Sequence, residues 1–419
     1  MRVLFLSSSN PFPVQGIGGY CGGGWISSLI KLVDNVDGID VGVAYATDVH
    51  EHERNVDGIE LLPVFVKPLS GWQKIKLYYG GYRHINNDDY TNGALMAIES
   101  FKPDVIHLFG MESQFAWVLG HTDVPIVCHL QGLLAPCDNA FFPIGMNESS
   151  FHWPPTKREW LLRNGYLYAK KCIHVRGQRE IKLFKDLQYA MGRTEWDFEV
   201  SQLLAPQSKY FHVDEVLRQP FYDNAGKWNV KAKGKLILVS TLSETIYKGL
   251  DLVLKTAKLL KEETKLDFEW NVIGIGTNSN FVRFFEHTYG IKSNEVNINY
   301  LGVKKPDEII KILMKASAYV HTSYIDNSPN SVCEAQMIGC PVIATNVGGV
   351  SSLVKDGETG LLVPSNAPFE LAFKLKSLAS DTDLRKKLSD NGKIAAAKRH
   401  DKKTIVRQLV ETYKTISNK

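Results

Sequence analysis

Thr322-Ser323-Tyr324-Ile325-Asp326-Asn327-Ser328-Pro329-Asn330-Ser331-Val332-Cys333-Glu334-Ala335 is the stretch on which the reading of this 419-residue chain turns. An apolar run, Ala318–Thr322, leads into it, and Gly339-Cys340-Pro341-Val342-Ile343-Ala344-Thr345 and Gly348-Gly349 follow. The order is strand, polar turn, helix from about Ser331 to Gly339, tight turn, buried strand and flexible loop. Backbone N–H groups at the start of such a helix lack intrahelical partners, and the helix dipole favours an anion there. A diphosphate fits. Glu334, one turn inside, can point back at neutral hydroxyls such as a ribose diol, and Asp326, ahead of the turn, can reach a sugar. The plainer alternative is that Asp326 and Asn327 only cap the helix.

The same grammar extends outward in both directions. Strand-like runs occur at Val3–Leu6, Val41–Tyr45, Ile59–Val66, Val105–Leu108 and Ile126–Leu130, and again at Lys235–Ser240, Phe268–Ile273 and Pro341–Thr345. Helical spacing marks Trp25–Val33 and Leu250–Leu260, and Asn366 and Pro368 open a helical tail by N-cap and N1 logic. Strands alternating with helices predict parallel sheets covered on both faces, hence an α/β fold of two doubly wound, Rossmann-like domains. Between Asp138 and Tyr222 the pattern is mostly helical and aromatic, and the Gly- and Lys-rich segment Gly226–Gly234 reads as a linker. The domains are therefore 1–225 and 226–401, with a last helix at about 402–419.

Composition narrows the function. With 49 basic and 45 acidic residues, the net charge of +4 gives no reason to expect a nucleic acid as partner, which normally demands a concentrated basic face. The six cysteines lack metal-binding spacing and fit a reducing cytosol. The apolar start Val3–Leu6 is too short for a signal peptide, and no run approaches the 20 or so residues of a membrane span. A cytoplasmic protein is expected. Mixed aromatic and basic stretches, Trp72 with Lys74, Lys76, Tyr78, Tyr79, Tyr82 and Arg83, and Trp153–Arg163, fit either a peripheral contact with the inner face of a membrane or ordinary helix surface.

The run from Asp326 to Pro364 resembles the signature of family 4 glycosyltransferases, retaining enzymes of the GT-B fold. Asp326 and Glu334 stand as two carboxylates separated by seven residues, followed by Gly339-Cys340-Pro341-Val342, Gly348-Gly349 and Asp356-Gly357-Glu358-Thr359-Gly360-Leu361-Leu362-Val363. The resemblance implies two domains facing across a cleft, with the last helix folded back on the first. It also implies transfer of a hexosyl group from a nucleotide diphosphate sugar to a hydroxyl of a glycan or lipid-linked acceptor, commonly in bacterial surface polysaccharide synthesis. No metal and no organic cofactor is expected, the nucleotide sugar being a co-substrate.

Residue by residue, the resemblance makes Asp326 the carboxylate near the transferred sugar, where the family usually has Glu, and Glu334 the ribose holder. Asn327, Ser328, Pro329, Asn330, Ser331 and Val332 form the donor-binding turn. Lys248, before Gly249, matches the lysine that meets the leaving diphosphate; a fixed cation there would stabilise growing charge. Thr241 stands where the family has Arg, and Arg193, in Gly192-Arg193-Thr194-Glu195-Trp196-Asp197, is the candidate substitute; a salt bridge is its plainer role. Thr194 and Asp197 there form a capping box. Gly274 and Gly276 resemble the Gly-x-Gly near the nucleotide base, or are a tight turn.

In the first half, Gly18, Gly19, Gly22, Gly23 and Gly24 resemble the acceptor-side loop, and Asp104–Gly110 the Asp-x-x-His strand. His129 and Gln131, two apart at the end of one strand, share a face, and either can look into the cleft; His129 also fits a buried structural histidine. A silent nucleotide-sugar binding protein and a GT-B sugar-nucleotide epimerase are the alternative functions.

Overall fold

A computed structural model describes residues 1–12, 24–73, 88–146, 165–230 and 234–417. Gly18, Gly19, Gly22 and Gly23, the aromatic and basic residues from Lys74 to Arg83, and Trp153–Arg163 lie outside the described residues; Gly24 opens the helix Gly24–Asp34. The chain divides into two compact units, Met1–Pro136 with Lys171–Leu217 and His400–Lys419, and Cys137–Lys170 with Arg218–Arg399. Residues 137–170 and 218–225, read above with the first domain, thus group with the second.

Among the described residues, the first unit is built on eight strands: β1 (Arg2–Ser7), β2 (Asp40–Thr47), β3 (Arg54–Val56), β4 (Ile59–Phe65), β5 (Val105–Phe109), β6 (Ile126–His129), β7 (Tyr189–Gly192) and β8 (Lys209–His212). Their order is β3-β4-β2-β1-β5-β6-β7-β8, parallel except at β3–β4. β1 pairs along both edges, Val3 with Val41 and Val105, and Val3–Leu6 is fully buried, so both its faces are covered as well. That is why it reads as an unbroken apolar run. The last helix, Lys402–Ser417, belongs to this unit and buries Ile405, Leu409, Tyr413 and Ile416, one stripe at helical spacing.

The second unit carries β9 (Leu236–Thr241), β10 (Phe268–Ile273), β11 (Ile298–Gly302), β12 (Ala318–His321), β13 (Val342–Thr345) and β14 (Leu361–Val363). These run β11-β10-β9-β12-β13-β14, all parallel. Trp270, on β10, is buried with its indole paired: Nε1 donates to Ser240 Oγ at 2.9 Å, and Ser240 Oγ donates to Val320 O at 2.6 Å. Each sheet winds outward from its first strand in both directions. The reversal falls between β1 and β5 in one unit and between β9 and β12 in the other, where such sheets open a crevice at the strand ends.

Local expectations differ from the structure in two places. Gly226–Gly234 is not a plain linker at its start: Trp228 is buried, its backbone N–H donates to Ile338 O at 3.0 Å, and its indole donates to Ala316 O at 2.8 Å. The helical tail is three helices, Pro368–Ser380, Thr382–Arg399 and Lys402–Ser417. Asp381 and Asp401 accept from Leu384 N and Thr404 N, each at 2.8 Å, and so restart the helix at each break. Asn366 adopts a positive φ of 57°, and Ala367 rather than Asn366 occupies the N-cap. No helix among the described residues is long and apolar enough to cross a membrane.

Candidate functional site

In the second unit the segments leaving β9 and β12, neighbours at the reversal point, are laced together. Thr322 Oγ1 donates to Lys248 O at 3.0 Å and Tyr324 N donates to Tyr247 O at 2.7 Å. The fit depends on Gly249, whose φ is 79° and whose Cβ, if present, would lie 2.0 Å from Thr322 O. This lacing brings Lys248 Nζ to 2.7 Å from Asp326 Oδ2. His321 Nε2 and Ser323 Oγ donate to the same oxygen at 2.9 and 3.1 Å. Gly348 closes the other side: its φ is 51°, a Cβ there would meet Asp326 O at 2.0 Å, and Gly349 N donates to that carbonyl at 3.1 Å. Burial pushes the Asp326 carboxyl up, but the Lys248 cation and the His321 hydrogen bond outweigh it and hold the group well below the usual carboxylate range. Asp326 is an anion at neutral pH and a poor proton donor.

From Asp326 the chain passes through buried Asn327 and Ser328 to Pro329, the N-cap of the helix Asn330–Ile338, which has no side-chain cap. Asn330, Ser331 and Val332 form its first turn. Glu334 lies one turn in, 6% exposed, with both carboxylate oxygens taken by Arg218: Nε to Oε1 and Nη2 to Oε2, each at 2.8 Å. This fork-on-carboxylate pairing fixes the Glu334 plane and leaves further lone pairs for hydroxyl donors. Burial pushes the Glu334 carboxyl up to about 7, with Arg218 pulling the other way. Thr241 ends β9. Gly274, after β10, has φ 99° and would place a Cβ 2.2 Å from Leu242 O, so a glycine is required for the turn itself; a Cβ at Gly276 would meet nothing within 4 Å.

In the first unit, Arg193 follows β7 at the entry to the helix Glu195–Leu204. Thr194 and Asp197 form the expected capping box, and Asp197 Oδ2 also accepts from Arg193 N at 2.8 Å. The Arg193 guanidinium is buried, lies 5.1 Å from the Trp25 ring centroid, and donates to Gln131 O at 3.0 Å. Arg193 and Gln131 thus meet in this unit, while Lys248, Asp326 and Glu334 are assembled in the other. His129 ends β6, fully buried against Trp25, and its Nδ1 lies 3.2 Å from His107 Nε2. His107 Nδ1 in turn lies 2.8 Å from the Tyr413 hydroxyl.

Arg218, His321, Ser323 and Tyr413 were not legible as site residues. His321 and Ser323 stand within five residues of Asp326, the one signal that could have drawn attention to them. Arg218 and Glu334 are 116 positions apart, and His107 and Tyr413 are 306 apart; no local pattern announces either pair.

Residues 223–395 match the family of glycosyl transferases group 1. The chain is 34% identical over 146 residues to an uncharacterised glycosyltransferase of Methanocaldococcus jannaschii, 35% of this chain and 39% of that protein. It is 28% identical over 196 residues to a protein of Salmonella typhimurium named as a colanic acid biosynthesis glycosyltransferase, 45% of this chain and 47% of the other. The chain spans under half the length of these curated relatives. Among solved structures, Anabaena Alr3699/HepE in complex with UDP and glucose superposes with a TM-score of 0.64 at 16% identity, covering 99% of this chain and all of that one. With two parallel-sheet units and this likeness, the fold is GT-B.

Proposed function

We propose that the chain, whose residues 223–395 match the family of glycosyl transferases group 1, is a retaining glycosyltransferase. It moves a hexosyl group from a nucleotide diphosphate sugar to a hydroxyl of a glycan or lipid-linked acceptor, in bacterial surface polysaccharide synthesis on the cytoplasmic side. The observation that carries the reading is the convergence of Lys248, His321 and Ser323 on one oxygen of Asp326, directly ahead of the helix that bears Glu334.

The chemistry follows from charge. Lys248 has three donors and spends one on Asp326, so the others can meet a leaving diphosphate. The first amides of the helix Asn330–Ile338 face the same kind of charge through the helix dipole. Charge growing on the departing oxygen then meets groups already in place, with little reorganisation. Asp326, anionic at neutral pH, orients Lys248 and accepts from a sugar hydroxyl rather than supplying a proton. Glu334, held in plane by Arg218, accepts from the ribose diol. The departing phosphate oxygen takes the acceptor's proton on the face where the new bond forms, which keeps the anomeric configuration.

The test is thermal unfolding of the purified protein with UDP, ADP, GDP and their glucose esters. A ligand at about 100 times its Kd stabilises by about 2.7 kcal/mol. One nucleotide should protect the wild type and fail to protect Lys248→Ala and Glu334→Ala, each compared with its own unliganded midpoint. If no nucleotide protects the wild type, or if both variants are protected equally well, the donor site is not the one described.

A further inference from the structure

The first unit contains a buried polar chain with one open end. Tyr413 on the helix Lys402–Ser417, His107 on β5 and His129 on β6 are linked in that order, Oη to Nδ1 at 2.8 Å and Nε2 to Nδ1 at 3.2 Å. All three are buried, and Phe5, Phe109 and Trp25 pack around the two imidazoles. Among the described residues, His129 Nε2 has no hydrogen-bond partner.

Both rings are neutral. Burial pushes His107 down to about 3, and it takes His129 well below its ordinary value; Arg193, His212 and His107 reinforce that, and Glu215 opposes it. A neutral imidazole carries one N–H, so the chain has only two senses. In the first, Tyr413 donates to His107 Nδ1, His107 Nε2–H donates to His129 Nδ1, and the only group left over is His129 Nε2–H. In the second, His129 donates to His107 and His107 to Tyr413. That sense strands two groups, the Tyr413 hydroxyl hydrogen and the His129 Nε2 lone pair. Each buried polar group left unpaired costs free energy, so the first sense is favoured.

We propose that Tyr413 and His107 are positioning residues that hold His129 as its Nε2–H tautomer, a hydrogen-bond donor that cannot act as a base at that nitrogen. On the glycosyl-transfer reading, on which this clause rests, His129 steadies an oxygen and does not take the acceptor's proton. The last helix acquires a role beyond packing, because its tyrosine determines which way the chain points.

Nitrogen-15 histidine spectra of the full chain at neutral pH test the proposal without any need for activity. His129 is assigned by the loss of its signals in His129→Asn. The wild type should show His129 with a protonated Nε2 and a bare Nδ1, as a single form. Tyr413→Phe removes the donor that sets the sense, so each direction then strands two groups, and His129 should become a mixture of tautomers. His107→Gln, whose amide can accept from Tyr413 and donate to His129, should keep the wild-type form. A wild-type His129 protonated at Nδ1, or a His129 spectrum unchanged in Tyr413→Phe, overturns the proposal. Should Tyr413→Phe fail to fold, the wild-type spectrum and His107→Gln still decide it. A chain that binds no nucleotide sugar yet gives the expected spectra refutes the transferase reading alone.

Discussion

Removing Arg218 tests whether Glu334 is held by one buried cation. The side chains are 13% and 8% exposed and meet at 2.7–2.8 Å. Breaking such a pair by deleting one partner costs about 3–5 kcal/mol, because a buried charge is left uncompensated. Glu334 is already pushed up to about 7 by burial. Without Arg218 its pKa rises further, the carboxyl is largely protonated at pH 7, and neutralisation limits the loss to about 3 kcal/mol. For a unit of this size each kcal/mol moves Tm by about 2–4 °C, so Arg218→Met should melt about 6–12 °C lower at pH 7. Replacing both partners with apolar residues, Arg218→Met with Glu334→Leu, should return to within about 1 kcal/mol of the wild type, since no buried charge remains. The sign with pH is also determined. A carboxyl whose folded pKa is raised costs stability as pH climbs from its unfolded value through its folded one. In the wild type that loss is complete just above 7, whereas in Arg218→Met it continues, so the gap between them should widen at pH 8 and above. Circular dichroism melts of the two single variants and the double variant from pH 5 to 9 give the cycle. Additive single effects, or a gap indifferent to pH, would refute the reasoning.

Lys248→Ala should lower kcat by about 10²–10³-fold, the loss typical of removing one preorganised donor from developing charge, measured with whichever nucleotide sugar protects the fold. For Asp326 the depressed pKa predicts stability that is fully present above about pH 4 and lost as pH falls toward its folded value. The difference in Tm between wild type and Asp326→Asn should therefore be constant from pH 5 to 7 and shrink below about 4; a difference as large at pH 2 as at pH 5 would show that Asp326 contributes no ionic stabilisation. Gly249→Ala puts a Cβ 2.0 Å from Thr322 O at φ 79°. The left-handed backbone alone costs about 1–2 kcal/mol, so a denaturant midpoint unchanged from wild type would contradict the lacing described.

The alternation of buried strands and amphipathic helices was open to reading along the chain, because a strand covered on both faces must be apolar throughout and a helix covered on one must repeat every 3.6 residues. Val3–Leu6 and the start of Ala318–Thr322 announced themselves in this way, and Phe268–Ile273 did so by alternation, with Glu269 and Asn271 on its less buried face. Short, mixed strands such as Lys209–His212 and Ile298–Gly302 did not, since each lies at or near a sheet edge and is only partly buried. Within Thr322–Gly349 the turn, the helix start and the two carboxylates are neighbours in sequence, and their spacing alone determined that they form one unit. What meets that unit was decided by topology. Lys248 reaches Asp326 because β9 lies beside β12, although 78 residues separate them. Arg218 closes on Glu334 from a segment that groups with the second unit, and Tyr413 aims a histidine chain from a helix at the far end of the sequence. A hydrophobic period records which face of an element is buried, but it carries no label for the element on the other side. Partners across a sheet or between distant segments are therefore specified only when the strands take their order.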